Sequence, residues 1–377
     1  MNRIATGIFF LSLFHIASAQ EAPFFNPGGT FFSVGAERYR TASIAVGDID
    51  GDGDLDVVDA NGRHWPQPNL VYFNNGSGAF RTANFLDSEW SSSYAAELAD
   101  LDNDGDLDIV VGNDRVPNYW YANNGEGVYT RMGTIGNSAS PTRNVNLADV
   151  NQDDFVDVIF TNRGSTNEIC LNDGKGNFEN CLNFGSDKDS TIDIAVADIN
   201  GDGLMDLALA NRDGQQNYVY LQGAALTFKT KIPFGTGTDE TRSVAVGDID
   251  KDGNLDIVTG NLEGGNYIYF GNGLDFEKFS QYESEDYATA SVKLGDLNND
   301  GFLDIVNGNS DEVNYVYINS KGETFEKFAL NPENKMDTYD ILLALVNRDN
   351  YLDIIEANSD ELNLYYLNRF ERLKKRK

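Results

Sequence analysis

The stretch Asp48-Ile49-Asp50-Gly51-Asp52-Gly53-Asp54-Leu55-Asp56 decides the fold, because the chain writes it seven times. In-register copies run from Asp100 to Asp108, Asp149 to Asp157, Asp198 to Asp206, Asp248 to Asp256 and Asp296 to Asp304, with a worn copy from Leu345 to Asp353. The closing aspartates stand 52, 49, 49, 50, 48 and 49 residues apart, and a fixed period of that length marks a repeat architecture. An asparagine follows each closing aspartate by five residues: Asn61, Asn113, Asn162, Asn211, Asn261, Asn309 and Asn358. A small hydroxyl precedes each loop by seven: Thr41, Ser93, Thr142, Thr191, Thr241, Thr289 and Thr338. Farther on, each unit carries an Asn-x-apolar-Tyr segment such as Asn217 to Leu221, then a Gly/Asn-rich turn and usually an aromatic such as Phe228.

Within each unit the β-branched and aromatic runs are short and bounded by Gly, Asn and Asp, a pattern of strands without helices. Strand A precedes the acidic loop, B follows it, C is the Tyr segment and D the aromatic one. Four strands per unit of about fifty residues is the blade of a β-propeller, so the sequence predicts an all-β, seven-bladed propeller. A solenoid would need polar capping repeats, whereas both ends here read as parts of one broken blade. The last unit stops after its strand C, and the residues near Phe31 and Phe32 precede the first strand A. The N-terminal strand is therefore expected to close the last blade, removing the exposed edges that template aggregation.

Charge narrows the possibilities further. With 28 Lys+Arg against 60 Asp+Glu the formal charge is −32, which excludes nucleic acid as a partner, since phosphate neutralisation needs a basic surface. A 41% hydrophobic, 12% aromatic composition supplies a core, so the acidity is not disorder. Residues 1–19 read as a secretory signal: Arg3, an apolar run from Ile8 to Ile16, and the Ala17-Ser18-Ala19 cleavage site. The propeller then occupies 20–368 and a basic tail 369–377. No later segment reads as a transmembrane helix, so a secreted or periplasmic monomer is expected.

The acidic loops place oxygen side chains at positions 1, 3, 5 and 9, a donor set of hard ligands suited to Ca2+. The predicted ligands are Asp48, Asp50, Asp52 and Asp56; Asp100, Asp102, Asp104 and Asp108; Asp149, Asn151, Asp153 and Asp157; Asp198, Asn200, Asp202 and Asp206; Asp248, Asp250, Asp252 and Asp256; and Asp296, Asn298, Asp300 and Asp304. Up to six sites follow, because Leu345 removes the first ligand of the seventh loop. The loops hold 26 aspartates, whose mutual repulsion also favours cations. Position 6 must turn sharply. It is glycine in five loops, with Asp154 and Asn350 as the departures, residue types that tolerate left-handed backbone.

Through these loops and segments such as Asn69-Leu-Val-Tyr-Phe-Asn-Asn-Gly, nearly all of the mature chain resembles the FG-GAP/VCBS repeat family, whose repeats also build the propellers of integrin alpha chains. The resemblance implies a calcium-stabilised propeller of secreted or cell-surface proteins that bind carbohydrates or other proteins, with a minority acting as sugar-active enzymes. Fold does not choose between these.

Departures from the repeat point to the ligand. The first B–C connection, Asn61 to Asn69, is longer than the others and carries Arg63, His64 and Trp65; Arg115 lies in the next one, and Arg143 and Arg242 in D–A connections. Flat aromatics beside arginines suit acidic sugars or carboxylates, so an extracellular glycan or glycoprotein is the expected partner of a binding or adhesion module. The competing class is an enzyme such as a polysaccharide lyase, which needs a base and a charge neutraliser about one sugar. The sequence offers His64 or a tyrosine but no convergent catalytic set. Cys170 and Cys181 flank one C–D turn and are expected to face each other as a disulfide.

Overall fold

In the computed structural model, residues 20–21, 24–25, 32–76, 78–322 and 324–370 are described here. The predicted signal and most of the basic tail lie outside them. The architecture is all-β, and each of the first six repeats gives four antiparallel strands in sequence order, while the last gives Thr338–Ala344 and one continuous strand, Asp353–Tyr366. In the third unit the four are Thr142–Ala148, Asp157–Asn162, Asn167–Leu171 and Asn180–Phe184. Strand B is buried along its whole length in units 1 to 6, because it lies between neighbouring sheets. Apolar clusters fill the gaps between units, as where Ile109 and Tyr121 pack on Val58 and Val71. The outermost strand is largely solvated in the second unit, Thr130–Ile135.

Among the described residues the strands form six hydrogen-bonded sheets, which corrects the expectation of seven separate blades. The reason is one continuous strand, Phe32–Gly47. Its first part pairs Phe32 with Tyr365 and Val34 with Asn363 of Asp353–Tyr366, while its second part pairs Thr41 with Asn61 and Gly47 with Asp56. The last and first repeats thus share a six-stranded sheet. The closure by the N-terminal segment is as expected from sequence. An addition was not expected: Gln20–Glu21 pairs in parallel with Phe328 and Ala329 as a fifth strand of the sixth unit, and Phe24 and Phe25 are buried beside Val316, Leu364 and Tyr366. The tail also begins docked, since the Arg369 N–H donates to the Phe24 carbonyl and the Phe370 ring meets Phe24 and Tyr351.

The repeated Asn and Thr positions form a belt. Each strand-A hydroxyl accepts from the strand-C asparagine of the preceding unit: Asn69 to Ser93, Asn118 to Thr142, Asn167 to Thr191, Asn217 to Thr241, Asn266 to Thr289, Asn314 to Thr338, and Asn363 back to Thr41. Within a unit the hydroxyl donates to the strand-B asparagine, as Thr191 does to Asn211 at 2.9 Å. The seven links close on themselves, and the seven inner strands lie one against the next around the same ring.

Candidate functional site

Two regions carry unusual chemistry, and they lie at opposite ends of the inner strands. At one end, the acidic loops hold their shape by internal bonds. The position-6 N–H donates to the first aspartate (Gly53 to Asp48 at 3.0 Å, Asp154 to Asp149 at 2.9 Å), and the position-7 N–H donates to the fifth-position carboxylate (Asp54 to Asp52 at 2.8 Å). Position 6 is left-handed in six loops, at φ 86° for Gly53 and 71° for Asp154. Position 4 is left-handed too, which sequence reading missed; in the seventh loop Arg348 (φ 58°) takes that conformation and Asn350 does not.

The ninth-position aspartate has a role of its own. It is fully buried, and its two oxygens accept backbone N–H groups from the loop and from the end of strand C: Asp56 from Ile49 and Asn74, Asp157 from Val150 and Asn172. The worn seventh loop keeps the arrangement, with Asp353 accepting from Val346 and Asn368. That carboxylate therefore pins loop to hairpin even where the first ligand is lost. Burial pushes Asp56, Asp108, Asp157 and Asp256 up to about 6, against the pull of the two N–H donors.

The remaining oxygens separate the loops into two kinds. In loops 1, 2 and 5, carboxylate oxygens of Asp48, Asp50 and Asp56, of Asp100, Asp102 and Asp108, and of Asp248, Asp250 and Asp256 lie within 4.8 Å of one another. Asp48 Oδ1 and Asp102 Oδ1 are buried without a hydrogen-bond donor, an arrangement that fits an oxygen-seeking cation. In loops 3, 4 and 6 the third position is asparagine, and its amide donates to the neighbouring carboxylate: Asn151 to Asp153, Asn200 to Asp202, Asn298 to Asp300. Arg348 of the seventh loop reaches the first, with Nε 2.5 Å from Asp54.

At the other end, inner-strand side chains and the B–C loops converge on a funnel mouth. Arg63 turns inward: it pairs with Asp337 at 2.9 Å and lies over the Tyr339 ring at 4.2 Å. Arg242 faces the same ring at 4.5 Å. Arg143 pairs with Asp114 at 2.8 Å and covers the Tyr94 ring at 4.3 Å, and the Tyr94 hydroxyl meets His64 Nδ1 at 3.0 Å. Arg163 pairs with Asp213, and Arg212 lies 3.8 Å from Glu240. Of the expected ligand residues Arg63 and Arg115, Arg63 is turned over the Tyr339 ring and Arg115 is exposed. Trp65 stays 63% exposed, an open apolar face at the edge.

Arg242 stands apart. It is 9% exposed, and among the described residues no carboxylate pairs with it. Burial raises the Tyr339 phenol, but Arg242 and then Arg63 outweigh that and bring it below its ordinary value. Burial and the charges of Arg163 and Arg242 lower the Arg212 guanidinium. In a chain of net charge −32, five arginines gather at this mouth, four of them beside carboxylates. On the third unit's C–D hairpin, Cys170 and Cys181 are directly opposed in register and form the expected disulfide.

Comparison with known families matches an FG-GAP-like repeat at residues 100–160, 149–209, 198–259 and 250–307. No curated protein gives a significant match. Among solved structures, the chain is similar to BBS1N in complex with ARL6DN, in a lead-soaked crystal (TM-score 0.58, 12% identity, 93% of this chain and 96% of that one) and a mercury-soaked one (0.61, 12%, 93% and 97%). Likeness at that identity concerns the fold. No helix among the described residues is long and apolar enough to cross a membrane.

Proposed function

Because the chain belongs to the FG-GAP-like repeat family, we propose that it is a secreted or periplasmic binding module, a calcium-stabilised propeller that engages an anionic extracellular glycan or glycoprotein at its funnel mouth. The reading counts seven blades, the six-stranded sheet being two blades joined through Phe32–Gly47; the seven-link Asn/Thr belt supports that count. The orphaned oxygens of Asp48 and Asp102 support calcium. Docking of a macromolecule on such a fold has a parallel in BBS1N, which was crystallised with ARL6DN.

The observation that carries the reading is Arg242. A buried guanidinium without a carboxylate is costly to desolvate, and a ligand carboxylate or sulfate supplies the missing charge through paired N–H donors. Trp65 gives a sugar ring a flat face at the rim. A glycan array probed with and without calcium tests this. Uronate- or sulfate-bearing glycans are expected to be retained, to weaken with added salt, and to lose at least tenfold in affinity in Arg242→Gln. Equal capture of neutral and acidic glycans, or full binding by Arg242→Gln, rejects the reading.

A sugar-active enzyme is the second reading, and Tyr339 is the observation in its favour. Its phenol sits between Arg63 and Arg242, so a proton acceptor lies beside groups able to neutralise a uronate. Unsaturated uronate ends released from a polymer by the parent but not by Tyr339→Phe establish a lyase; their absence leaves binding alone.

A further inference from the structure

One cavity of about 410 Å³ on the propeller axis joins two tiers of side chains from the inner strands. Tyr94, Arg143, Arg242 and Tyr339 form the mouth, and Glu97, Asp193, Lys293 and Asp340 line the throat below it. Sorting the charges by counter-charge among the described residues leaves Arg242 at the mouth and Asp193 and Glu97 in the throat; of these, Arg242 bonds Tyr339 and Asp193 has neutral donors, whereas Glu97 has neither. At the mouth, Arg63 and Arg143 have carboxylate partners and Arg242 has none. In the throat, Asp193 accepts from Asn144, Ser243 and the Val244 N–H. Asp340 accepts from Ser291 and lies 3.5 Å from Lys293. Glu97 has no hydrogen bond and no ion pair among the described residues, although it faces Lys293, Asp340 and Asp193. Burial, with added repulsion from Asp340 and Asp193, pushes its carboxyl up to about 8 even though Lys293 pulls the other way.

A cavity with a spare cation at one end and a spare carboxyl at the other is complementary to a ligand of the opposite polarity. We propose that it binds a compact zwitterion, with the ligand carboxylate on Arg242 and its ammonium on Glu97. The inference rests on the anionic-ligand reading of the mouth and adds the second, cationic end. Arg242 and Glu97 differ by three positions in the strand-A register, with a register shift at Arg242, and strands rise about 3.3 Å per residue, so their backbone positions are offset by roughly 10 Å at most. An ion-pair contact of about 3 Å at each end leaves room between them for a short amino acid of about three or four carbons. An ammonium ion arriving beside Glu97 favours its ionised form, so binding near neutral pH releases a proton.

The probes are ω-amino carboxylates of increasing chain length and the matching straight-chain carboxylates without the amine, titrated by calorimetry in buffers of different ionisation enthalpy. The amine is expected to add at least tenfold in affinity at an intermediate length, with proton release. Glu97→Gln should remove the amine's advantage and the proton while leaving carboxylate binding, and Arg242→Gln should remove both. Should Glu97→Gln fail to fold, Glu97→Asp withdraws the carboxyl by one carbon and moves the optimum to a longer ligand. Equal affinity with and without the amine overturns the zwitterion and leaves the anionic mouth standing. Binding of neither series overturns both, and an unchanged optimum in a folded Glu97→Asp overturns the placement of the ammonium.

Discussion

Replacing Thr191 by valine tests whether the Asn/Thr belt holds neighbouring units together. The Thr191 hydroxyl is fully buried, accepts from Asn167 Nδ2 at 3.1 Å and donates to Asn211 Oδ1 at 2.9 Å. Valine has nearly the same shape, so no cavity forms, but one donor and one acceptor are left without partners. Each buried orphan costs about 1–3 kcal/mol, so the change should lose roughly 2–6 kcal/mol. Serine is the control, because the second unit already uses it: Ser93 accepts from Asn69 at 2.9 Å and donates to Asn113 at 2.8 Å. Thr191→Ser keeps both bonds and gives up one methyl, about 1 kcal/mol.

Equilibrium urea unfolding followed by circular dichroism reads both variants, with the slope checked for constancy. The valine variant should fall well below the serine variant. In a double-mutant cycle, Asn167→Leu combined with Thr191→Val should cost less than the sum of the two, since the same link is removed only once. A valine variant as stable as the serine one, or strictly additive losses, would falsify the belt as a source of stability.

Chelation should lower the melting temperature, since a cation at one hundred times its dissociation constant stabilises by about 2.7 kcal/mol per site; Asp50→Asn should reduce the calcium effect and Asp349→Asn should leave it, as read by calorimetry with and without chelator. Reduction of Cys170–Cys181, which closes a short loop across the hairpin, should cost about 2–3 kcal/mol, measured by denaturant midpoints with and without reductant. Asp59 is fully buried and burial pushes its carboxyl up to about 7. The folded state therefore binds its proton more tightly than the unfolded chain does: its stabilising contribution is complete below pH 4 and is lost as pH rises through 7, by up to about 1.4 kcal/mol per pH unit. Asp59→Asn should flatten that part of the stability profile, and an identical profile would refute the assignment.

The repeat made much of the fold legible. Period, the four strands of the first six units, closure by the N-terminal segment and the Cys170–Cys181 pairing all follow from spacing, because a structure made of one unit repeats its constraints. What spacing does not reveal is which constraint each residue serves. Asp56 and its equivalents read as ligands, yet Asp353 keeps the same two backbone bonds in a loop whose first ligand is a leucine; position 9 is retained for the hairpin. The sheet count was hidden, because the sequence assigns the residues near Phe32 to the last blade and Thr41 onward to the first without showing that Phe32–Gly47 is one unbroken strand. The docking of Phe24 and Phe25 was missed because they lie outside the repeat.

The funnel was harder to read for a related reason. Residues that recur are occupied with one another: the Asn/Thr belt uses its donors and acceptors around the ring, and the ninth-position carboxylates receive backbone N–H groups on both oxygens. Such positions have little left for a ligand. The residue after each belt hydroxyl is free of that duty and diverges from unit to unit: Ala42, Tyr94, Arg143, Ile192, Arg242, Ala290 and Tyr339. These residues sit at a register shift in the inner strand, just after the belt position, and Tyr94, Arg143, Arg242 and Tyr339 meet in one cavity although they belong to four units. Linear reading singles out Arg143 and Arg242 at this register but does not show that they meet Tyr94 and Tyr339 in one cavity. The ring turns that variation into a single asymmetric surface, and its cations are where recognition of an anion can be built without weakening the scaffold.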